Sequence, residues 1–223
     1  MRKLVVAIDG PAGAGKSTVA QIVAQRLSYT YIDTGAMYRA VAWKALQLSK
    51  LSCDEIAKIA EDIDIKLNYV NGKTFISVDE CDVTEAIRTR EVTQLVAEVA
   101  QIAAVRKHML TLQRQMAEAG GVVMDGRDIA THVLPNADVK VFLTASIEER
   151  ALRRWREMTN KGFTVDLEQL KAEIECRDKK DCERDLAPLI QAEDATLVDT
   201  TKLSIEGAVD TILELCSKRR ENV

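Results

Sequence analysis

The chain has 223 residues, 47% of them hydrophobic and 30% charged, which suits one compact α/β domain and excludes disorder. A formal net charge of −4 argues against a general nucleic-acid-binding surface, so no nucleic-acid polymer is expected as a partner. No stretch approaches the roughly 18 apolar residues of a membrane span, and the five scattered cysteines, with no C-x-x-C spacing, read as reduced thiols.

Residues 4–8 form an apolar run of buried-strand type. With Arg2 and Lys3 before it and only about six apolar residues in it, the run is too short for a signal peptide. It leads into Gly10-Pro11-Ala12-Gly13-Ala14-Gly15-Lys16-Ser17, which fits the phosphate-cradling pattern G-x-x-x-x-G-K-[ST]. Glycines let such a loop turn tightly and aim its N–H groups inward. The helix that starts near Lys16 adds the positive end of its dipole. Lys16 can reach β- and γ-phosphates, and the Ser17 hydroxyl can ligate Mg²⁺. The expected ligand is therefore ATP with Mg²⁺, bound by Gly10, Pro11, Ala12, Gly13, Ala14, Gly15, Lys16, Ser17 and Thr18.

Four further apolar runs, at 29–32, 122–124, 139–143 and 196–198, alternate with helical patterns. This predicts a five-stranded, doubly wound parallel sheet flanked by helices. Ligands in such sheets sit beyond the carboxyl ends of the strands, so Asp9–Gly15, Asp33, Asp125–Asp128 and Thr144 should face one cleft. Between the second and third runs the pattern predicts a helix over 35–48 and a short helix over 54–60 capped by Asp54. A hairpin follows over 65–78, with Asn71-Gly72 suited to a type I′ turn. A single helix is then expected over 91–119, its apolar side made of Leu95, Val99, Ile102, Met109, Leu112 and Met116. An antiparallel hairpin does not belong in a parallel sheet, so it marks an inserted subdomain. Helices are expected at 147–158, from a capping box at Asp166 and Gln169 to about 181, and from Ser204 onward.

Phosphoryl transfer depends on positioning and on neutralising charge over phosphate oxygens, and arginine matches phosphate bidentately. Arg39 and Arg127 fall just beyond strand ends. Arg150, Arg153 and Arg154 share one face of a helix by their spacing, and Arg177 and Arg184 flank Asp181. For each, a solvated surface arginine is the alternative reading. Asp125, closing an apolar strand, is placed to hold Mg²⁺ through water, or else to cap a turn.

Four segments then carry a resemblance. Residues 8–17, Asp33-Thr34-Gly35-Ala36-Met37-Tyr38-Arg39, Asp125-Gly126-Arg127-Asp128-Ile129 and residues 177–184, in this order, resemble the bacterial cytidylate kinases. The likeness extends over nearly the whole chain. It implies a three-layer P-loop kinase fold with a core of 1–38, 106–150 and 176–223, a monophosphate-binding insertion over about 39–105 and a lid over about 151–175. It implies transfer of the ATP γ-phosphate to CMP or dCMP. It also implies that Arg39, Arg127 and Arg184 hold the acceptor phosphate. Thr34, Arg106 and Asp128 would read cytosine, and Arg177 and Asp181 would contact the sugar. Lys16, Arg127 and the lid arginines Arg150, Arg153 and Arg154 would stabilise the transferring phosphoryl group. Asp128 can accept from the cytosine 4-amino group, a pairing that uracil reverses. Two positions depart from the family pattern: Ala97 replaces a serine, and Ala130 replaces a glycine beside Asp128. The other readings are a different small-molecule P-loop kinase, using UMP, AMP or a non-nucleotide acceptor, and a GTP-binding switch. The second lacks an Asn-Lys-x-Asp segment in this chain. The reduced thiols, with no signal peptide or membrane span in the pattern, point to the cytoplasm; a monomer is expected, since neither a coiled-coil seam nor a large exposed apolar stripe forces association.

Overall fold

The computed structural model describes residues 3–70 and 73–221. From the N-terminus run β1 (Val5–Asp9), α1 (Lys16–Leu27), β2 (Thr30–Asp33), α2 (Thr34–Gln47) and α3 (Cys53–Asp62). Next come β3 (Ile65–Val70), β4 (Lys73–Val78), β5 (Cys81–Asp82), α4 (Arg90–Val99) and α5 (Ala103–Ala117). The chain finishes with β6 (Val122–Gly126), β7 (Val139–Thr144), α6 (Ile147–Asn160), α7 (Leu167–Glu183), β8 (Thr196–Asp199) and α8 (Ile205–Glu221). A 3-10 turn at Ala86–Arg88 precedes α4, and a π-helical turn at Ile129–Val133 follows β6.

The five expected apolar runs pair as one parallel sheet in the order β2-β6-β1-β7-β8. Register brings their carboxyl ends level: Asp33 lies opposite Asp125, and Asp9 lies between Gly126 and Phe142. The strand period of two sorts β1 between the faces. Val6 and Ile8 pack with α1 and α8 residues such as Val19, Val209 and Ile212, whereas Ala7 joins Ile32, Met124 and Val133 on the other side. β3, β4 and β5 form a separate antiparallel sheet, as the hairpin pattern predicts, with Asn71 and Gly72 outside the described residues. This second sheet has an apolar core of its own with α2 to α5, in which Met37, Val41, Ile76, Ile87 and Met109 are fully buried.

Three local expectations change. α3 is capped by Ser52, not Asp54: a Ser52–Glu55 capping box moves the cap two residues earlier, and Asp54 sits in the first turn. The expected single helix over 91–119 is two helices, α4 and α5, broken at Ala100–Ile102. The Ala100 carbonyl released by the break accepts from the Arg106 guanidinium at 3.2 Å. At α7 Asp166 caps the Gln169 N–H at 2.8 Å, but the Gln169 amide turns forward to Glu173, so only half of the expected box forms.

Candidate active site

α1 begins at Lys16 on Gly15, which has φ 92° and no side chain to cap the helix. The opening N–H groups of α1 are thus left for an external acceptor, the arrangement that binds anions. Gly10 holds φ 149°, and a Cβ there would stand 1.9 Å from the Leu143 carbonyl oxygen of β7. Only glycine fits that close approach. Lys16 lies inside the loop, buried, its ammonium donating to the Pro11 carbonyl at 2.8 Å. Burial pushes Lys16 down to about 7, and Arg127 adds repulsion against the pull of Asp125 and Asp9. Ser17 and Thr18 are exposed at the mouth of the loop.

Asp125 lies opposite. Its carboxylate accepts from the Ser17 hydroxyl at 3.1 Å and from the Tyr31 hydroxyl at 2.7 Å. Burial pushes Asp125 up to about 6, with Asp33 adding to the rise. Gly126, next along, is hemmed in by Ile129 and Thr34 side-chain atoms at 2.6 and 2.7 Å from a would-be Cβ, so the chain passes there only without a side chain. The Thr34 hydroxyl donates to the Asp125 carbonyl at 2.7 Å.

Beyond Asp125 the cleft is lined by arginines and acids that meet from distant parts of the chain. Arg127 pairs with Asp181 at 2.8 Å, joining the end of β6 to α7. Asp181 is held below the usual carboxylate range: burial works against this, but Arg127 beside it prevails. Arg39 pairs with Asp33 at 3.0 Å. Asp128 takes Arg106 from α5 on one oxygen and Arg184 on the other, the latter at 3.3 Å. Arg106 also lies 5.8 Å from the centre of the Tyr38 ring. Arg177 stands among these groups, pushed down to about 10 by burial and by Arg127. Buried Nε atoms of Arg39 and Arg177 have no hydrogen-bond partner within the protein. Buried donors of this kind are normally satisfied, and both remain available to an acceptor from outside the chain.

The arginines of α6 divide. Arg150 is buried, and its guanidinium donates to the Ala12 and Ala145 carbonyls and pairs with Asp178 of α7 at 2.6 Å. Arg153 donates to Ala14 and Thr200 and pairs with Glu149 at 2.9 Å. Arg154 reaches Glu157 at 3.8 Å, is partly exposed, and adds its charge to those acting on Arg177. Ala97 lies half-buried in α4. Ala130 is buried without a positive φ, so alanine is accommodated where the family pattern has glycine. The sequence pattern puts Asp9 and Asp33 at the cleft without giving them a role, and it passes over Tyr31, Tyr38 and Asp178. Each shows only as an acid or aromatic near a strand end or in the arginine-bearing segment, and its partner lies elsewhere in the chain.

A parallel sheet with β1 at its centre, a glycine loop opening α1 and an arginine-lined cleft beside it define a P-loop kinase. A solved shikimate kinase from Bacteroides thetaiotaomicron shares the fold, with a TM-score of 0.52 at 16% identity, covering 96% of this chain and 98% of that one. The family is narrower: the chain belongs to the cytidylate kinase family, whose model matches residues 6–218. Curated relatives agree. The cytidylate kinase of Bacillus subtilis (strain 168) is 53% identical over 220 residues, covering 98% of both chains. That of Geobacillus sp. (strain WCH70) is 55% identical over 216 residues, covering 96% of both.

Proposed function

We propose that this chain transfers the γ-phosphoryl group of ATP to CMP or dCMP, releasing ADP and CDP or dCDP. The observation that carries the acceptor side is the cluster of Arg39, Arg127 and Arg177, which holds more guanidinium charge than Asp33 and Asp181 neutralise. A monophosphate dianion would supply the missing charge and would engage the unpartnered Nε atoms of Arg39 and Arg177. Arg184 and Arg106 hold the Asp128 carboxylate, and that carboxylate is the acceptor for the cytosine 4-amino group. Thr34, with its hydroxyl hydrogen given to the Asp125 carbonyl, offers only its lone pairs to the base. The sugar lies towards Arg177 and Asp181 in this reading.

On the donor side the Gly10–Ser17 loop wraps the triphosphate, and Lys16 spans the β- and γ-phosphates. The Ser17 hydroxyl and Asp125 carboxylate, 3.1 Å apart, fit Mg²⁺. Mg²⁺ favours one or two such oxygen ligands plus phosphates and waters over an all-protein cage. No group of three or more acidic, histidine or cysteine ligands exists among the described residues, which agrees with that mode. Bound there, Mg²⁺ would screen charge between the β- and γ-oxygens. The acceptor phosphate attacks phosphorus in line. A phosphate dianion is already a competent nucleophile, so no general base is needed. Arg127 neutralises the charge that spreads in the transition state. Arg150 and Arg153 fix the loop by gripping its carbonyls, and Arg154 is the α6 arginine placed to swing in on closure. The insertion carrying β3 to β5 covers the monophosphate side. The protein works as a monomer, and no described helix is long and apolar enough to cross a membrane.

A panel of CMP, dCMP, UMP and AMP with MgATP tests the reading. Preference for CMP or dCMP is expected; turnover indifferent to the acceptor base would overturn it.

A further inference from the structure

A helical turn begins with backbone N–H groups that lack partners within the turn. An aspartate at the start of such a turn ordinarily folds its carboxylate back onto them. Asp128 occupies that place ahead of the π-helical turn at Ile129–Val133, yet its side chain makes no capping bond. Its two oxygens point instead to Arg106 and Arg184. The orphan donors are satisfied from the far end of the chain. Asp9, at the end of β1 beside Gly10, takes the Ile129 N–H on one oxygen at 2.8 Å and the Ala130 N–H on the other at 2.7 Å. Asp9 is 1% exposed, so both bonds are shielded from water.

We infer that Asp9 is a positioning residue for recognition of the acceptor base: it caps the turn in place of Asp128 and so leaves the Asp128 carboxylate facing the cleft. The inference rests on the reading of Asp128 as the cytosine-facing acid. Without Asp9, the two N–H groups compete with Arg106 and Arg184 for the same carboxylate. Turning Asp128 onto its own backbone removes the acceptor that distinguishes a 4-amino from a 4-oxo pyrimidine. Asp9 touches neither nucleotide in this scheme. It acts through the turn, and because it adjoins Gly10 it also ties the base-reading turn to the phosphate loop.

Asp9→Asn keeps the shape but turns one acceptor into a donor that meets an N–H group. The variant is expected to lower the ratio of kcat/KM for CMP over UMP at least tenfold, about 1.4 kcal/mol. The rise should fall on KM for CMP, with KM for ATP moving less than twofold. On an Asp128→Asn background the same substitution should leave the CMP-to-UMP ratio unchanged, because its effect passes through Asp128. Asp9→Ser, a smaller acceptor, serves as the second variant if Asp9→Asn does not fold. A wild-type ratio in the variant, or the same loss on both backgrounds, would overturn the inference. A crystal structure of the variant decides the geometry independently of the substrate. Asp128 turned onto the Ala130 N–H supports the inference, and Asp128 still held by Arg106 and Arg184 refutes it. A wild-type enzyme with no preference for CMP would instead overturn the acceptor assignment, leaving that crystal structure to judge the positioning role.

Discussion

Lys16 holds its charge against its surroundings. Burial and Arg127 push it down to about 7, so without nucleotide it binds a proton weakly for a lysine. A triphosphate placed against it restores the ordinary preference for the ammonium form. ATP binding should therefore take up about half a proton per site near pH 7 and close to one between about pH 8 and pH 9. Asp125, pushed up to about 6, is mostly ionised in that range and releases little in return. Calorimetry in buffers of different ionisation enthalpy reads this directly, and zero uptake at pH 8 would contradict it. Lys16→Ala should cut kcat by about 10²–10³, the cost typical of one lost transition-state donor. Its melting temperature without nucleotide should hold or rise, because a poorly solvated charge has been removed. Lys16 was legible because loop, lysine and serine are contiguous, so their chemistry is written locally. The capping by Asp9 was not, since donor and acceptor lie 120 residues apart and meet only through the register of β1 with β6.

Helix α6 shows how one element carries arginines of different kinds. Its i, i+3, i+4 spacing puts Arg150, Arg153 and Arg154 on a common face, but spacing does not say which carbonyls that face meets. Arg153 donates to Ala14 and to the Thr200 carbonyl, the latter at 2.6 Å, stitching α6 to the phosphate loop and to the end of β8. Arg153→Ala is expected to cost about 2 kcal/mol in denaturant unfolding, the range of a lost charged hydrogen bond. Arg154, with a single long pair to Glu157, should cost under ~0.5 kcal/mol when changed to alanine. If it closes on the phosphates, that same variant lowers kcat at least tenfold, and an unchanged kcat would remove Arg154 from the machinery. The split between α4 and α5 was illegible for a related reason. Ala100 and Gln101 are good helix formers, and neither glycine nor proline marks the break. The break is held by tertiary contact, with Arg106 of α5 satisfying the exposed carbonyl on its way to Asp128.

Across the molecule two apolar bodies meet near α5, where Met116 packs against residues of both. One is the parallel sheet with its covering helices, and the other is the core around Ile76, Ile87 and Met109 under the three-stranded sheet. The alternation of strands and helices made the first legible, though not its order, because β6 inserts between β1 and β2 only once the chain has returned from the insertion. The separation predicts a kinetic asymmetry. Ile76→Ala, in a fully buried site, should cost about 2–5 kcal/mol. It should raise KM for CMP while leaving KM for ATP nearly constant, since the loop at Gly10–Ser17 belongs to the other body. An equal rise in both would show that the bodies do not act separately. Gly10 bears on a different question, how relatives of this chain are read. Within the chain itself, the Leu143 carbonyl is what would collide with a side chain at Gly10. That carbonyl belongs to the sheet and stays in place whether or not nucleotide is ever bound. A descendant that had abandoned phosphoryl transfer would still be compelled to keep this glycine for as long as β1 and β7 remained neighbours. Its retention in a diverged gene is therefore a record of the sheet, and evidence for surviving catalysis must be sought at Lys16.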